Sequence, residues 1–419
     1  MHPQENNHLK LPELLAPAGN MEKLRSAIHY GADAVYLGGK RYGLRANAGN
    51  FGDDELRQAV AYAHAHKVRV FVTINIFAHL RDLDGLEDYL RFLEECEADG
   101  LIISDPGVLA IARKTVPEMS IHLSTQANVT NPASALFWQE QGVTRLNLAR
   151  EMSLDEIRAI REAVDCKIEL FVHGALCISY SGRCLLSLYL TGRDANKGNC
   201  AHPCRYKYAL TEEKRPGQYF PVEEDEHGTY IFNAKDLCLL NRLPELIAAG
   251  ADSIKIEGRM KSVYYVGATV RLYRAALDYL AANNFKGPLP TEFTKELDKI
   301  GTRGHGENFI DGAPSPEEML YKGVKKVRQD FAPVAIVREA GSEPLVEARN
   351  PIRPGQTIEY MGPDLGNEPF TVNKIINEDN IALEQANPGQ LVRLVFDTIP
   401  SGWIFTPNSL FRRTLNDPT

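Results

Sequence analysis

Several features are missing from this 419-residue chain, and each absence narrows what it can be. No apolar stretch reaches the length of ~18 residues that a membrane-crossing helix needs, and residues 1–10 lack the apolar core of a signal peptide. The expectation is a cytoplasmic protein with no membrane partner. Positive charge is not in surplus: the formal net charge is -8, so any nucleic-acid contact must use a local basic patch. Low-complexity tracts are absent, and 44% hydrophobic with 24% charged residues is the composition of an ordinary globular enzyme. Neither an HExxH zinc-protease motif nor a GxSxG nucleophile elbow occurs. That removes local hydrolase signatures but leaves open a triad assembled in space.

What is present is periodic. From about residue 11 to 275, short apolar runs alternate with amphipathic stretches. The runs are Glu13–Ala16, Ala34–Gly38, Val68–Asn75, Leu101–Asp105, Ser120–Thr125, Thr144–Ala149, Lys167–His173 and Ser253–Glu257. Helix-like segments such as Asp53–Lys67, Leu83–Ala98, Asn131–Gln141 and Ser153–Val164 lie between them. A weak echo, Gly31-Ala-Asp-Ala-Val-Tyr-Leu and Gly250-Ala-Asp-Ser-Ile-Lys-Ile, suits turns from a helix into a buried strand. Eight strands with crossover helices predict an α/β fold, a (β/α)8 TIM-like barrel, over residues 1–284. Tyr230–Ala234 reads as an extra strand within an insertion. Residues 285–330, rich in Gly, Pro and charge, read as an irregular connector. Beyond Phe331 short alternating runs (Pro333–Arg338, Thr357–Tyr360, Thr371–Ile376, Gln390–Leu394, Gly402–Phe405) predict a small all-β barrel over residues 331–419.

Cysteine carries the strongest chemical signal. Cys96 and Cys166 stand alone, but Cys177, Cys184, Cys200, Cys204 and Cys238 fall within about sixty residues after the seventh strand. The first four read Cys-x6-Cys-x15-Cys-x3-Cys, unlike the paired CxxC of a zinc ribbon. In a reducing compartment, clustered thiolates suit an iron–sulfur cluster or zinc, which normally take four such ligands. Buried, inert cysteines are the competing explanation. Which four of the five would serve is not settled by spacing. Their position places such a metal over the C-terminal mouth of the barrel, where barrel chemistry resides.

Other polar residues gather at strand ends. Glu13, His122, Glu169, His173, Lys255 and Glu257 are candidate acids, bases or proton carriers, and Arg45, Asn128, Arg150 and Arg259 are candidate substrate binders. Each could equally belong to a buried network that closes the barrel. Lys255 and Glu257 share one face of their strand by the period of two.

The stretch Glu169-Leu-Phe-Val-His-Gly-Ala-Leu-Cys177, followed by Ser181-Gly-Arg-Cys184-Leu-Leu-Ser187, resembles the signature of peptidase family U32. The resemblance extends to Glu13-Leu-Leu-Ala-Pro-Ala-Gly-Asn20, Ala34-Val-Tyr-Leu-Gly38, Lys235-Asp236-Leu237-Cys238 and Lys255-Ile-Glu-Gly-Arg-Met-Lys261. Members were first named collagenase-like proteases; others are prephenate-dependent or oxygen-independent hydroxylation proteins with a [4Fe–4S] cluster. Length, a single barrel and a short β tail make the chain similar to the tRNA-hydroxylating branch. That implies a tRNA partner, prephenate as co-substrate and 5-hydroxylation of the wobble uridine. It also implies cluster ligands at Cys177, Cys184, Cys200 and Cys238, with Cys204 in reserve. Because some members work in pairs, a second family subunit, or a non-catalytic partner role for this chain, is a further implication. Lys322, Lys325, Lys326 and Arg328, just before the β domain, are candidate RNA contacts or a solvated charged face.

Overall fold

The computed structural model describes residues 9–43, 49–177, 179–205, 224–225, 228–229, 234–319 and 329–415. Seven parallel strands come first: β1 (Glu13–Pro17), β2 (Ala34–Leu37), β3 (Arg69–Ile74), β4 (Gly100–Ile103), β5 (Ile121–Leu123), β6 (Arg145–Asn147) and β7 (Lys167–Ala175). A short antiparallel strand, β8 (Asp236–Cys238), adds to the outside of β7, and β9 (Ser253–Ile256) pairs in parallel with both β7 and β1, closing an eight-stranded barrel. The helices predicted from periodicity appear as Asp53–Ala65, Leu86–Glu95, Pro132–Glu140 and Leu154–Ala163. Ser153 opens the last of these as a capping box with Glu156. The TIM-like fold expected from the sequence is therefore the observed one.

The Gly-Ala-Asp echo has a structural cause. Gly31 and Gly250 end helices with φ of 93° and 88°, a conformation that costs glycine nothing. The Asp two residues on then ties the incoming strand to its neighbour: Asp33 accepts the Leu14 N–H at 2.8 Å, and Asp252 that of Ile168 at 2.9 Å. Asp99, in the looser echo, does the same for Val70 at 2.7 Å. A side chain braces each carboxylate from outside: Arg274, Arg161 and the His64 ring, respectively. The repeat is thus a device of the barrel's N-terminal rim.

Within the expected connector, residues 285–319 carry regular elements. The helix Thr291–Leu297 buries Phe293 and Leu297, and His305–Gly306 pairs with β8. Of the predicted extra strand, Tyr230 to Asn233 lie outside the described residues, as do Lys322, Lys325, Lys326 and Arg328.

The C-terminal region is a separate antiparallel β barrel built on Phe331–Glu339, Leu345–Ala348, Thr357–Met361, Asn367–Ile376, Leu391–Phe396 and Leu410–Thr414. Gly402–Phe405, predicted as a strand, supplies only an isolated bridge from Phe405 to Gly341. This barrel packs against the helices Met21–His29 and Val263–Ala282. The Tyr30 hydroxyl donates to Met361 O at 2.8 Å and accepts from Leu410 N at 2.9 Å. Buried Arg412 meets Glu296 at 2.9 Å and Glu359 at 3.0 Å, and Arg271 joins Glu296 at 3.2 Å. Among the described residues, no helix is long and apolar enough to cross a membrane.

Candidate functional site

Inward-facing residues stack in layers up the barrel, and the predicted site residues separate between them. Arg145 on β6 organises the floor. Its Nη1 donates to Glu13 Oε1 at 2.6 Å and to Glu169 Oε2 at 3.0 Å. Lys255 Nζ reaches Glu169 Oε1 at 2.9 Å, the Ser253 hydroxyl reaches Glu13 at 3.2 Å, and Arg69 pairs with Glu13 from the outer rim. Burial by itself would raise the Glu169 pKa, but Lys255 and Arg145 outweigh it and hold the carboxyl at about 2. Glu13, Glu169 and Lys255, three of the candidate acid–base residues, are thus committed to one another and to Arg145, a residue the sequence reading did not single out. Lys255 also lies over Tyr36 and Phe171, at 4.5 and 5.2 Å from their ring centroids.

In register with Arg145, His122 packs against Phe71 with ring centroids 4.4 Å apart and planes at 59°. Burial, with Arg145 beside it, drives its pKa well below the ordinary value, so the ring is neutral. Among the described residues, His122 Nδ1 and Asn147 Oδ1 are buried without a hydrogen-bond partner. Such atoms are costly unless water or a ligand answers them. His173 lies elsewhere. It packs against Tyr273 and His305 outside the barrel, with Nδ1 3.4 Å from the Tyr273 hydroxyl. Burial and His305 keep it neutral.

The mouth collects the remaining candidates. Arg259 is buried and donates to Thr73 Oγ1 at 3.0 Å and Asn50 Oδ1 at 2.7 Å. It enters beside Gly38 and Gly19: a Cβ on Gly38 would sit 2.4 Å from its Nη2. Glu257 Oε2 is 3.0 Å from the Tyr36 hydroxyl. Arg150 donates to Ala175 O at 3.0 Å and lies 3.8 Å from the Phe171 ring centroid. Asn75, Ser124 and Gln126 join through Gln126 Oε1 at 3.1 and 3.2 Å. Asn128 has φ of 56°, and its Oδ1 is buried without a partner among the described residues. Arg45 lies outside the described residues. Thr73, Asn50 and Tyr36 were missed in the sequence, although Tyr36 and Thr73 occupy inward positions of their strands.

The cysteine loop rises from the end of β7. Asn196 clamps Cys184 at both backbone ends, accepting its N–H at 3.4 Å and donating to its carbonyl at 3.1 Å. Glu151 accepts from the Ser181 N–H and hydroxyl at 2.7 and 2.9 Å. Cys177 reaches solvent, yet crowding by surrounding atoms raises its pKa, and the nearby Cys184 and Cys200 thiols add to this. The Cys200 sulfur accepts the His202 N–H at 3.3 Å, and Cys204 follows in the turn Pro203–Arg205. Cys238 is buried on β8 across from His173, with its sulfur 3.9 Å from the Tyr273 hydroxyl; burial pushes its pKa up to about 11. Among the described residues, no three His, Cys, Asp or Glu side chains already converge as metal ligands. The donor set still fits a cluster in kind and number. Three soft thiols occupy one loop, and Cys204 on the same loop or Cys238 on β8 offers a fourth.

Comparison with known proteins fits this architecture. The chain is 41% identical over 391 residues to tRNA hydroxylation protein P1 of Bacillus subtilis, covering 93% of this chain and 92% of that protein. It is 38% identical to tRNA hydroxylation protein P of Escherichia coli, covering 90% and 92%. Similarity to the 23S rRNA 5-hydroxycytidine C2501 synthase of Escherichia coli is 37%, covering 74% of this chain and 44% of that protein. The profile of peptidase family U32 matches residues 19–320, and that of the peptidase family U32 C-terminal domain matches 328–406. The chain belongs to peptidase family U32.

Proposed function

We propose that this protein is a tRNA hydroxylase that installs a 5-hydroxyl group on the wobble uridine, with a [4Fe–4S] cluster and with prephenate as co-substrate. The observation that carries the reading is the placement of Cys177, Cys184 and Cys200 on the one loop that follows β7 at the C-terminal end of the barrel, in a chain whose relatives are named for tRNA hydroxylation. The proposed cluster ligands are these three and Cys238, and the cluster would supply electron-transfer or substrate-activating chemistry. Arg259 and Arg150 bring positive charge to the mouth, where they would meet the carboxylates of prephenate. Lys255 and Glu169 hold the floor beneath it.

Proteolysis, the activity in the family's name, finds less support. Among the described residues, neither candidate histidine is engaged with a hydrolytic nucleophile: His122 Nδ1 has no partner and His173 Nδ1 faces Tyr273. The carboxylates Glu13 and Glu169 are held by arginine and lysine rather than orienting a histidine.

The test is anaerobic purification with iron and sulfide counted, alongside nucleoside analysis of tRNA from a deletion strain complemented with each variant. Cys177→Ser and Cys184→Ser should lose both iron and hydroxyuridine. Cys204→Ser should keep both while Cys238→Ser loses them; the opposite result would transfer the fourth ligand to Cys204. Full hydroxyuridine from an iron-free Cys177→Ser protein would sink the cluster reading.

A further inference from the structure

A folded protein rarely leaves large apolar side chains bare at one place without a use for them. Here Leu80 and Tyr189 are 84% and 86% exposed, with Leu185 at 67% and Phe77 and Tyr180 about half exposed. They belong to two segments that lock together. Phe77 N–H donates to Asn196 O at 3.1 Å, and Lys197 reaches Asp82 at 2.6 Å. The Arg183 guanidinium lies 5.5 Å from the Phe77 ring centroid. The same Asn196 bonds the backbone of Cys184, so the two segments meet beside that cysteine. Cations punctuate the patch: Arg81, Arg183 and Arg193 are exposed, and none is ion-paired to a carboxylate among the described residues.

We propose that this face is the docking surface for single-stranded RNA, on which unpaired bases flanking the modified nucleotide stack against Tyr189 and Phe77 while Arg183 and Arg193 contact phosphate. The inference rests on the tRNA reading above and adds where the loop lies. Three observations favour RNA over other occupants. Aromatic rings alternate with arginines, which is how unpaired bases and their backbone are held. The exposed arginines supply the local positive charge that a chain of net charge -8 needs for any contact with RNA. The patch is assembled from two separate segments joined through Asn196 and Lys197, unlike the single continuous amphipathic helix that anchors a protein in a membrane interface.

The experiment is fluorescence anisotropy of the anaerobically purified full chain with a labelled RNA hairpin bearing an anticodon-like loop, and with a blunt duplex as control. Tyr189→Ala and Phe77→Ala should each weaken hairpin binding roughly 5- to 150-fold, the range of one lost stacking contact. Tyr189→Phe should retain affinity because the ring remains. Arg183→Gln should lower the slope of log affinity against log salt by about 0.7. Hairpin binding by both alanine variants at the wild-type level would overturn this surface and leave the tRNA reading intact. A wild-type protein that binds no RNA would overturn both. Alanine variants that lose self-association in sedimentation, yet keep RNA affinity, would make the face a contact between copies of the chain and refute the proposal.

Discussion

Replacing Glu169 by glutamine tests whether the ion cluster at the barrel floor is structural. Glu169 is 1% exposed and receives Lys255 and Arg145 at 2.9 and 3.0 Å. Its carboxyl is held at about 2 against an ordinary 4.5, because those cations outweigh the cost of burial. At ~1.4 kcal/mol for each tenfold change in proton affinity, that depression is worth about 3 kcal/mol of folding stability. The folded value lies below the unfolded one. The contribution is therefore complete above about pH 4.5 and disappears as pH falls towards 2. Glutamine keeps the shape but takes the carboxylate partner from Lys255 and leaves Arg145 with Glu13 alone, a loss of about 3–5 kcal/mol for breaking a buried pair. Trp138 lies by the barrel core and Trp403 by the β-domain core, so a Trp403→Phe background lets fluorescence follow the barrel alone. In urea titrations, Glu169→Gln should be less stable by about 3 kcal/mol or more at pH 7, the gap narrowing as the medium is acidified through pH 4. Equal stability at pH 7, or a gap that does not shrink on acidification, would refute the assignment.

Two further changes probe the mouth and the domain contact. A Cβ on Gly19 would lie 2.1 Å from the Arg259 carbonyl oxygen, so Gly19→Ala must displace backbone; it should cost ~1–3 kcal/mol and reduce hydroxylated tRNA in a complemented strain, and unaltered melting with full product would disprove the close fit. Glu296, whose carboxyl Arg412 and Arg271 hold at about 2 despite burial, ties the β barrel to the TIM-like barrel through a contribution present above about pH 4.5 and lost towards pH 2. Glu296→Gln should therefore speed hydrogen exchange across residues 331–415 at neutral pH, a change that mass spectrometry would detect or rule out.

The sequence revealed the barrel strands because parallel strands are covered on both faces and so read as apolar runs, which made their number and order legible. Where charge points inward, that signal inverts. Leu410–Thr414 carries fully buried Arg412 into an ion cluster with Glu296 and Glu359, so its pattern resembles an exposed segment and the strand is not legible, while Gly402–Phe405, apolar but paired by a single bridge, reads as one. Arg145 was overlooked for the same reason, although it joins both carboxylates at the floor. Partnership of this kind depends on residues 132 and 24 positions away, and no local pattern encodes it. The candidate site was legible as a set of residue types at strand ends, but not as layers, because inward alternation says which face a side chain takes and not how far up the barrel it stands. His173 shows a further limit. Pairing of β7 with β9 shifts register between Lys255 and Ile256, and a shift of one residue sends a side chain to the other face. The irregularity moves His173 out against Tyr273 and into register with Cys238 on β8. The same register explains why Cys238, adjacent to the other cysteines in sequence logic, has its thiol in the layer between β7 and the helix Val263–Ala282. Any role it takes beside Cys177 must come with a change in that packing, and Tyr273, which now faces both His173 and Cys238, is the side chain that would register it.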